Sequence, residues 1–191
     1  MWENPKRIET AIKRFTREIA EIDECFYNLD QNAKADRHLY AGMLERKRDD
    51  VIRAAVVQMH TAIEDLLNQI IMSRLLGFTR QKKSRSQSAR ALEKMLTGGG
   101  SMGFDMKLTF AFALRIIDAK TKARLGVLNT LRNKCSHNWV LNVPVRRGRR
   151  PSEKKPPLLS YDGHNLHSVE AFKDFVSEFG GIYLKFYMKA P

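Results

Sequence analysis

An apolar stripe near the start of the chain is the feature that most constrains the fold. Its members alternate four and three positions apart, which keeps them on one face of an α-helix: Ile8, Ile12, Phe15, Ile19, Ile22, Phe26 and Leu29. Asn4 and Pro5 suit the start of that helix, so residues 1–35 are predicted to hold an N-terminal amphipathic helix. Such a stripe is stable in water only when other helices cover it.

The rest of the chain continues helical spacing without a convincing strand pattern. Helices are predicted over 36–48, 51–76, 91–96, 104–117 and 119–141, with an aromatic-rich C-terminal helix over 167–189. Ser168 is predicted to cap that last helix, and Gly180 and Gly181 to bend or break it. With 191 residues, 43% of them hydrophobic, residues 1–191 are expected to form a single helical domain. The predicted fold class is all-α, a helical bundle.

Positive charge is concentrated in two segments that lack helical spacing. The net charge is +13, and residues 78–90 hold five basic side chains and no acid, while 142–160 hold six against Glu153 together with four prolines. Both are predicted to be exposed basic loops that bind RNA through its phosphates, although they could instead serve only solubility. The candidate nucleic-acid-binding residues are Arg80, Lys82, Lys83, Arg85, Arg146, Arg147, Arg149, Arg150, Lys154 and Lys155.

Cysteine usage and the first residues predict the compartment. Cys25 and Cys135 are too few for a disulfide framework or a four-ligand zinc site, which fits a reducing environment. The start, MWENPKRIET, matches neither a signal peptide nor a transit peptide, and no long apolar run follows, so we expect a cytoplasmic protein without a membrane partner. His164 and His167 lack carboxylate or Cys partners at metal-like spacing, so no metal or other cofactor is predicted.

The segment LNTLRNKCSHNW, residues 128–139, contains the side chains best suited to catalysis. On a helix, the buried stripe is formed by Leu128, Leu131, Cys135 and Trp139. Arg132 lies at the edge of that stripe, and Asn133 and His137 share an outward face. A guanidinium at a core boundary needs an acid, and the central helix supplies Glu64 and Asp65. We interpret Arg132, Asn133 and His137 as the candidate catalytic residues, in a site that a second subunit completes.

This motif, together with the helix pattern D-x-x-x-R-A-A-V-V-x-x-x-x-A-I-E-D-L-L from Asp49, resembles the HEPN superfamily, and is most similar to its mannitol operon repressor-like branch. The resemblance covers residues 45–142 and implies a HEPN-like bundle of four to five core helices that dimerises, with metal-independent endoribonuclease activity in many members. It implies that Arg132 binds the scissile phosphate and that His137 acts in acid or base catalysis. Asn133 would orient His137, and Glu64 or Asp65 would hold Arg132.

The residue types present could support RNA cleavage without reference to any family. RNA carries its own nucleophile, the 2′-hydroxyl, so the protein needs to supply a base, an acid and a cation for the phosphate. The function predicted is a ribonuclease of toxin or host-defence type, a homodimer that could have an antitoxin or other regulatory protein as partner. The alternatives are a non-catalytic regulator or nucleic-acid-binding module, and a scaffold for an acidic protein.

Overall fold

The computed structural model describes residues 5–32, 37–76, 87–98, 102–137 and 159–190. These residues form six helices and one short hairpin, which confirms a mostly helical bundle. The helices are α1 (Pro5–Asn32), α2 (Arg37–Leu76), α3 (Gln87–Thr97), α4 (Phe104–Ala113), α5 (Ala119–His137) and α6 (Val169–Lys189), and the strands are β1 (Ser160–Tyr161) and β2 (His164–Asn165). Within the described ranges, no helix combines the length and the hydropathy that a membrane span requires.

The predicted apolar stripe of α1 is the face with which this helix packs into the bundle. Ile8, Phe15, Ile19 and Ile22 are buried, and α1 packs against α2 and α6. Burial of a side chain of this size contributes about 1.5–3 kcal/mol, so the stripe accounts for the docking of α1.

Helix α2 is the centre of the molecule. It packs against each of the other five helices, and Ile52, Val56, Ile63 and Leu67 are fully buried along it. The sequence predicted two helices here, with Asp49 and Asp50 at a helix start, and that division is wrong: α2 runs unbroken for 40 residues. Asp49 is instead buried inside the helix, where its carboxylate meets His167.

Helix α4 ends four residues before the predicted boundary. The amide of Arg115 donates to the Phe112 carbonyl and that of Ile116 to the Ala111 carbonyl, which is the hydrogen-bond pattern of a Schellman cap. Arg115 has a φ of 56°, as the cap requires, and Ile116 and Ile117 are buried beyond the helix end. The apolar spacing to residue 117 therefore reflects burial after the helix, not more helix.

The β-hairpin was missed by the sequence analysis. Strand β1 pairs antiparallel with β2 across a turn in which Asp162 and Gly163 have φ of 49° and 81°. Positive φ at both central residues is typical of a type I′ turn, for which Asp-Gly is a favoured pair. The signal was present in the dipeptide, but strands of two residues are too short to show alternation.

A bend or a break was predicted at Gly180 and Gly181, and the break is wrong because α6 is continuous. A Cβ at Gly180 would lie 2.6 Å from Cδ1 of Ile12, which means that this glycine permits close packing of α6 on α1. The predicted cap is confirmed, because Ser168 Oγ accepts a hydrogen bond from the Ala171 amide at 3.3 Å. The aromatic residues of α6 pack in the core: Phe172, Phe175, Phe179, Tyr183 and Phe186.

Candidate functional site

Helix α5 carries the motif, and its buried face agrees with the prediction. Leu128, Leu131 and Cys135 are fully buried, and burial raises the pKa of the Cys135 thiol to about 11. Arg132 is half-buried at the edge of this stripe, and its Nη1 donates to Oδ1 of the exposed Asn133 at 3.1 Å. The guanidinium therefore lies at the bundle surface, oriented by the next residue in the chain.

The predicted supporting acids occupy α2, but Arg132 pairs with neither of them among the described residues. Glu64 accepts a hydrogen bond from Nζ of Lys107 on α4 instead. Asp65 is exposed, and partial desolvation of its carboxyl group, together with the charge of Glu64, raises its pKa. The sequence analysis offered Glu64 or Asp65 as the acid for Arg132, but the cation that contacts Glu64 is Lys107, which reaches it from another helix.

His60 lies one turn before Glu64 on α2 and is nearly buried. Its ring packs on Phe104 with centroids 4.3 Å apart, and its Nδ1 lies 3.7 Å from Oε2 of Glu64. Its Nε2 is buried without a hydrogen-bond partner in the described part of the chain. The imidazole is therefore a buried polar group that has an aromatic ring and a carboxylate as close neighbours.

The charges around His60 set its protonation. Burial is the main cause that lowers its pKa, and the positive charges of Arg132 and Lys107 act in the same direction. The Glu64 carboxylate and the side chain of Asn129 act against them. Because the lowered pKa starts from a usual value of 6.5, His60 is neutral at pH 7.

Asn129 connects the cluster to the first turn of α4. Its Nδ2 donates to Oδ1 of Asp105 at 3.0 Å, while its side chain also contacts His60. Asn129 and Arg132 are three residues apart on α5 and so share a face. We call His60, Glu64, Lys107, Asn129 and Arg132 the α2/α4/α5 polar cluster.

The sequence analysis missed three members of this cluster, although two left a signal. His60 and Glu64 are separated by four residues and therefore share a face of α2. Lys107 is the one basic residue of the mostly apolar α4, and a buried lysine is usually paired with an acid. Asn129 gave no signal that we can name.

Other predicted residues lie outside the described part of the chain. The His137 backbone ends α5, but its side chain is not described, and neither is any of the ten candidate nucleic-acid-binding residues. Their roles stay predictions.

A second polar cluster joins the hairpin to α5 and α6. The guanidinium of Arg124 donates to Asp162 at 2.6 and 2.8 Å, to the Tyr161 hydroxyl at 2.6 Å and to Oε1 of Glu178 at 2.6 Å. These contacts lower the pKa of both carboxyl groups and raise that of Arg124. The open cavity beside it, of about 290 Å³, is lined by these two acids and Asp174, so it does not suit a phosphate.

Comparison with known proteins adds no relative. The chain matches no protein-family model, no curated protein and no solved structure. Within the described ranges, no group of three or more His, Cys, Asp or Glu side chains could hold a metal ion. The resemblance to the HEPN superfamily therefore still depends on the motif and the helix pattern alone.

Proposed function

We propose that the protein is a metal-independent endoribonuclease of HEPN type, with Arg132 and His137 as its catalytic residues. The observation that carries the proposal is the Arg132 guanidinium, which has no carboxylate within ion-pair distance among the described residues. Arginine stays charged at any working pH and presents paired N–H donors to a phosphate. An arginine at the surface without an acid is suited to an external anion.

In the proposed reaction, the 2′-hydroxyl of the RNA attacks the adjacent phosphorus while the 5′-oxygen leaves. One imidazole takes the 2′-hydroxyl proton and a second protonates the leaving oxygen, so the product carries a 2′,3′-cyclic phosphate. Arg132 stabilises the additional negative charge on the phosphate oxygens in the transition state. Asn133 keeps the guanidinium oriented through its Oδ1 contact.

A site built from two copies of His137 needs two chains, since His137 occurs once in each. We therefore propose a symmetric homodimer in which the two α5 helices approach each other near residues 133–137. Light scattering at micromolar concentration is expected to give twice the 22.0 kDa chain mass. A monomer under those conditions would contradict this part of the proposal.

The decisive experiment uses one RNA in two forms. Purified protein is incubated in EDTA with an RNA oligonucleotide and with the same oligonucleotide carrying 2′-O-methyl groups. The unmodified RNA is expected to be cut to 2′,3′-cyclic phosphate ends, and the methylated RNA to survive, because the methyl group removes the nucleophile.

Variants test the two residues in the same assay. His137→Ala is expected to lower the cleavage rate about 10²- to 10⁴-fold, as is usual for a general acid or base. His164→Ala, at an exposed histidine of the hairpin, is the matched control and should cleave as the wild type does. Full activity in a folded His137→Ala protein, or loss of activity by EDTA alone, would contradict the mechanism and favour a non-catalytic regulator.

A further inference from the structure

Lys107 is an unusual lysine, because its side chain is 3% exposed and lies in an apolar helix. Its ammonium group contacts the Glu64 carboxylate, whose side chain is 27% exposed. A buried cation needs a counter-ion, so the contact explains how Lys107 is tolerated. The same contact means that Glu64 is already paired with a cation and is less available to another one.

The five residues of the α2/α4/α5 polar cluster carry one more positive than negative charge, before the carboxylate of Asp105 beside Asn129 is counted. Glu64 and Lys107 compensate each other, and His60 is neutral at pH 7. Arg132 remains as an extra positive charge. Its hydrogen bond to Asn133 uses one of the five N–H donors of the guanidinium. The positive charge thus lies at the half-buried guanidinium, next to solvent.

We propose that Lys107 is a positioning residue: by occupying Glu64 it keeps the Arg132 guanidinium available for a phosphate group of the substrate. The inference rests on the proposed role of Arg132 in phosphate binding. Arg132 and Glu64 both lie close enough to His60 to act on its charge. Without Lys107, the Glu64 carboxylate would lose the one cation that contacts it among the described residues, and it would attract the Arg132 guanidinium on the neighbouring helix α5. An external phosphate would then compete with Glu64.

The test measures phosphate binding without turnover. Inorganic phosphate is titrated into the full chain while the guanidinium signals of Arg132 are followed by nitrogen-15 NMR, assigned by comparison with Arg132→Gln. In Lys107→Gln, the positive charge is lost but the amide can still donate to Glu64. We expect this variant to bind phosphate at Arg132 roughly tenfold more weakly, or worse.

A second change should reverse the first. In Lys107→Gln/Glu64→Gln, the competing carboxylate is gone, and phosphate affinity should return to within about twofold of wild type. A purely structural role for Lys107 could give the same recovery, so the Arg132 guanidinium signal is also compared without phosphate. We expect it to shift in a folded Lys107→Gln and to return in the double variant, whereas a purely structural role predicts no shift. If Lys107→Gln fails to fold by circular dichroism, Lys107→Met is compared with Lys107→Met/Glu64→Gln in the same way. Wild-type affinity in a folded Lys107→Gln, or weak binding in the double variant, would overturn the inference.

The results separate this inference from the proposed function. Phosphate binding that depends on Lys107 and Glu64, in a protein that does not cut RNA, supports the inference and removes the ribonuclease. RNA cleavage with phosphate binding that is indifferent to Lys107 does the reverse. No response of Arg132 to phosphate in the wild type overturns the inference together with the phosphate role of Arg132.

Discussion

The imidazole Nε2 of His167 lies 2.6 Å from Oδ1 of Asp49, although the two residues are 118 positions apart. Both side chains are almost fully buried, and the other ring nitrogen lies 3.0 Å from Oδ1 of Asn165. Arg48 supports the contact from the next position by donating to the His167 carbonyl at 3.2 Å. This contact joins the segment before α6 to the N-terminal half of α2.

We predict that breaking this contact destabilises the protein strongly. Asp49→Ala should lower the free energy of unfolding by about 3–5 kcal/mol, because it leaves a buried imidazole without its acceptor. Asp50→Ala, at the exposed neighbouring aspartate, is the control and should change it by less than about 0.5 kcal/mol. Urea denaturation checks both. Equal effects of the two substitutions would show that the buried contact contributes nothing.

We predict that His60 makes stability decrease with acid. Burial lowers its pKa in the folded state, so below pH 6.5 the unfolded chain binds the proton more readily. This contribution to stability is complete above pH 6.5 and is lost as the pH falls through the lowered folded pKa. His60→Gln, which does not titrate, should show a flatter dependence of the unfolding free energy on pH between 7 and 5.

The control for His60 is His164→Gln, at an exposed site on the hairpin. It should keep the slope of the wild type. An identical slope in the wild type and in His60→Gln would contradict the prediction.

The Arg124 cluster should affect the pH dependence of stability at lower pH than His60 does. Its contacts depress the pKa values of Glu178 and Asp162, so they stabilise the fold above the usual pKa values, 4.5 and 3.8, and are lost as the pH falls below them. Arg124→Met should cost about 2 kcal/mol near pH 7, and less in high salt because Asp162 is exposed. Lys173→Met, at an exposed position of α6, is the matched control. A difference between Arg124→Met and wild type that does not shrink on acidification would contradict the prediction.

The two cysteines should differ sharply in reactivity. Cys25 is exposed, whereas Cys135 is buried and its pKa is raised to about 11. Since the thiolate is the reactive form, a thiol reagent at pH 8 should label one group per native chain and two after denaturation. In Cys25→Ser, labelling of the native protein should disappear. Rapid labelling of native Cys25→Ser would mean that α5 opens readily.

The basic segments should carry most of the salt-dependent affinity for RNA. Replacing four arginines by Ser should weaken binding and reduce the salt slope by up to about 3, since each phosphate contact on a single strand contributes about 0.7. Those arginines are Arg146, Arg147, Arg149 and Arg150. The control removes four exposed lysines elsewhere, namely Lys13, Lys47, Lys120 and Lys173. Affinities by fluorescence anisotropy that fall equally in both variants would assign the segments to general charge.

Local spacing in the sequence was enough for most of the helices. The stripe of α1, the buried face of α5 and the cap at Ser168 follow from repeats of three and four residues and from a single side chain, which need no distant partner. Boundaries that depend on distant groups were predicted less well. Asp49 looked like a helix start because its partner, His167, is far away in the chain.

At the candidate site, too, local features could be predicted from the sequence and contacts between distant residues could not. The sequence placed Arg132 at the edge of a buried stripe, because the position of a residue on a helix follows from its number. It could not say which cation would reach Glu64, since Lys107 is 43 residues further along the chain and arrives there only when α4 packs beside α2. An ion pair depends on distance in space, and that distance exists only after the chain has folded.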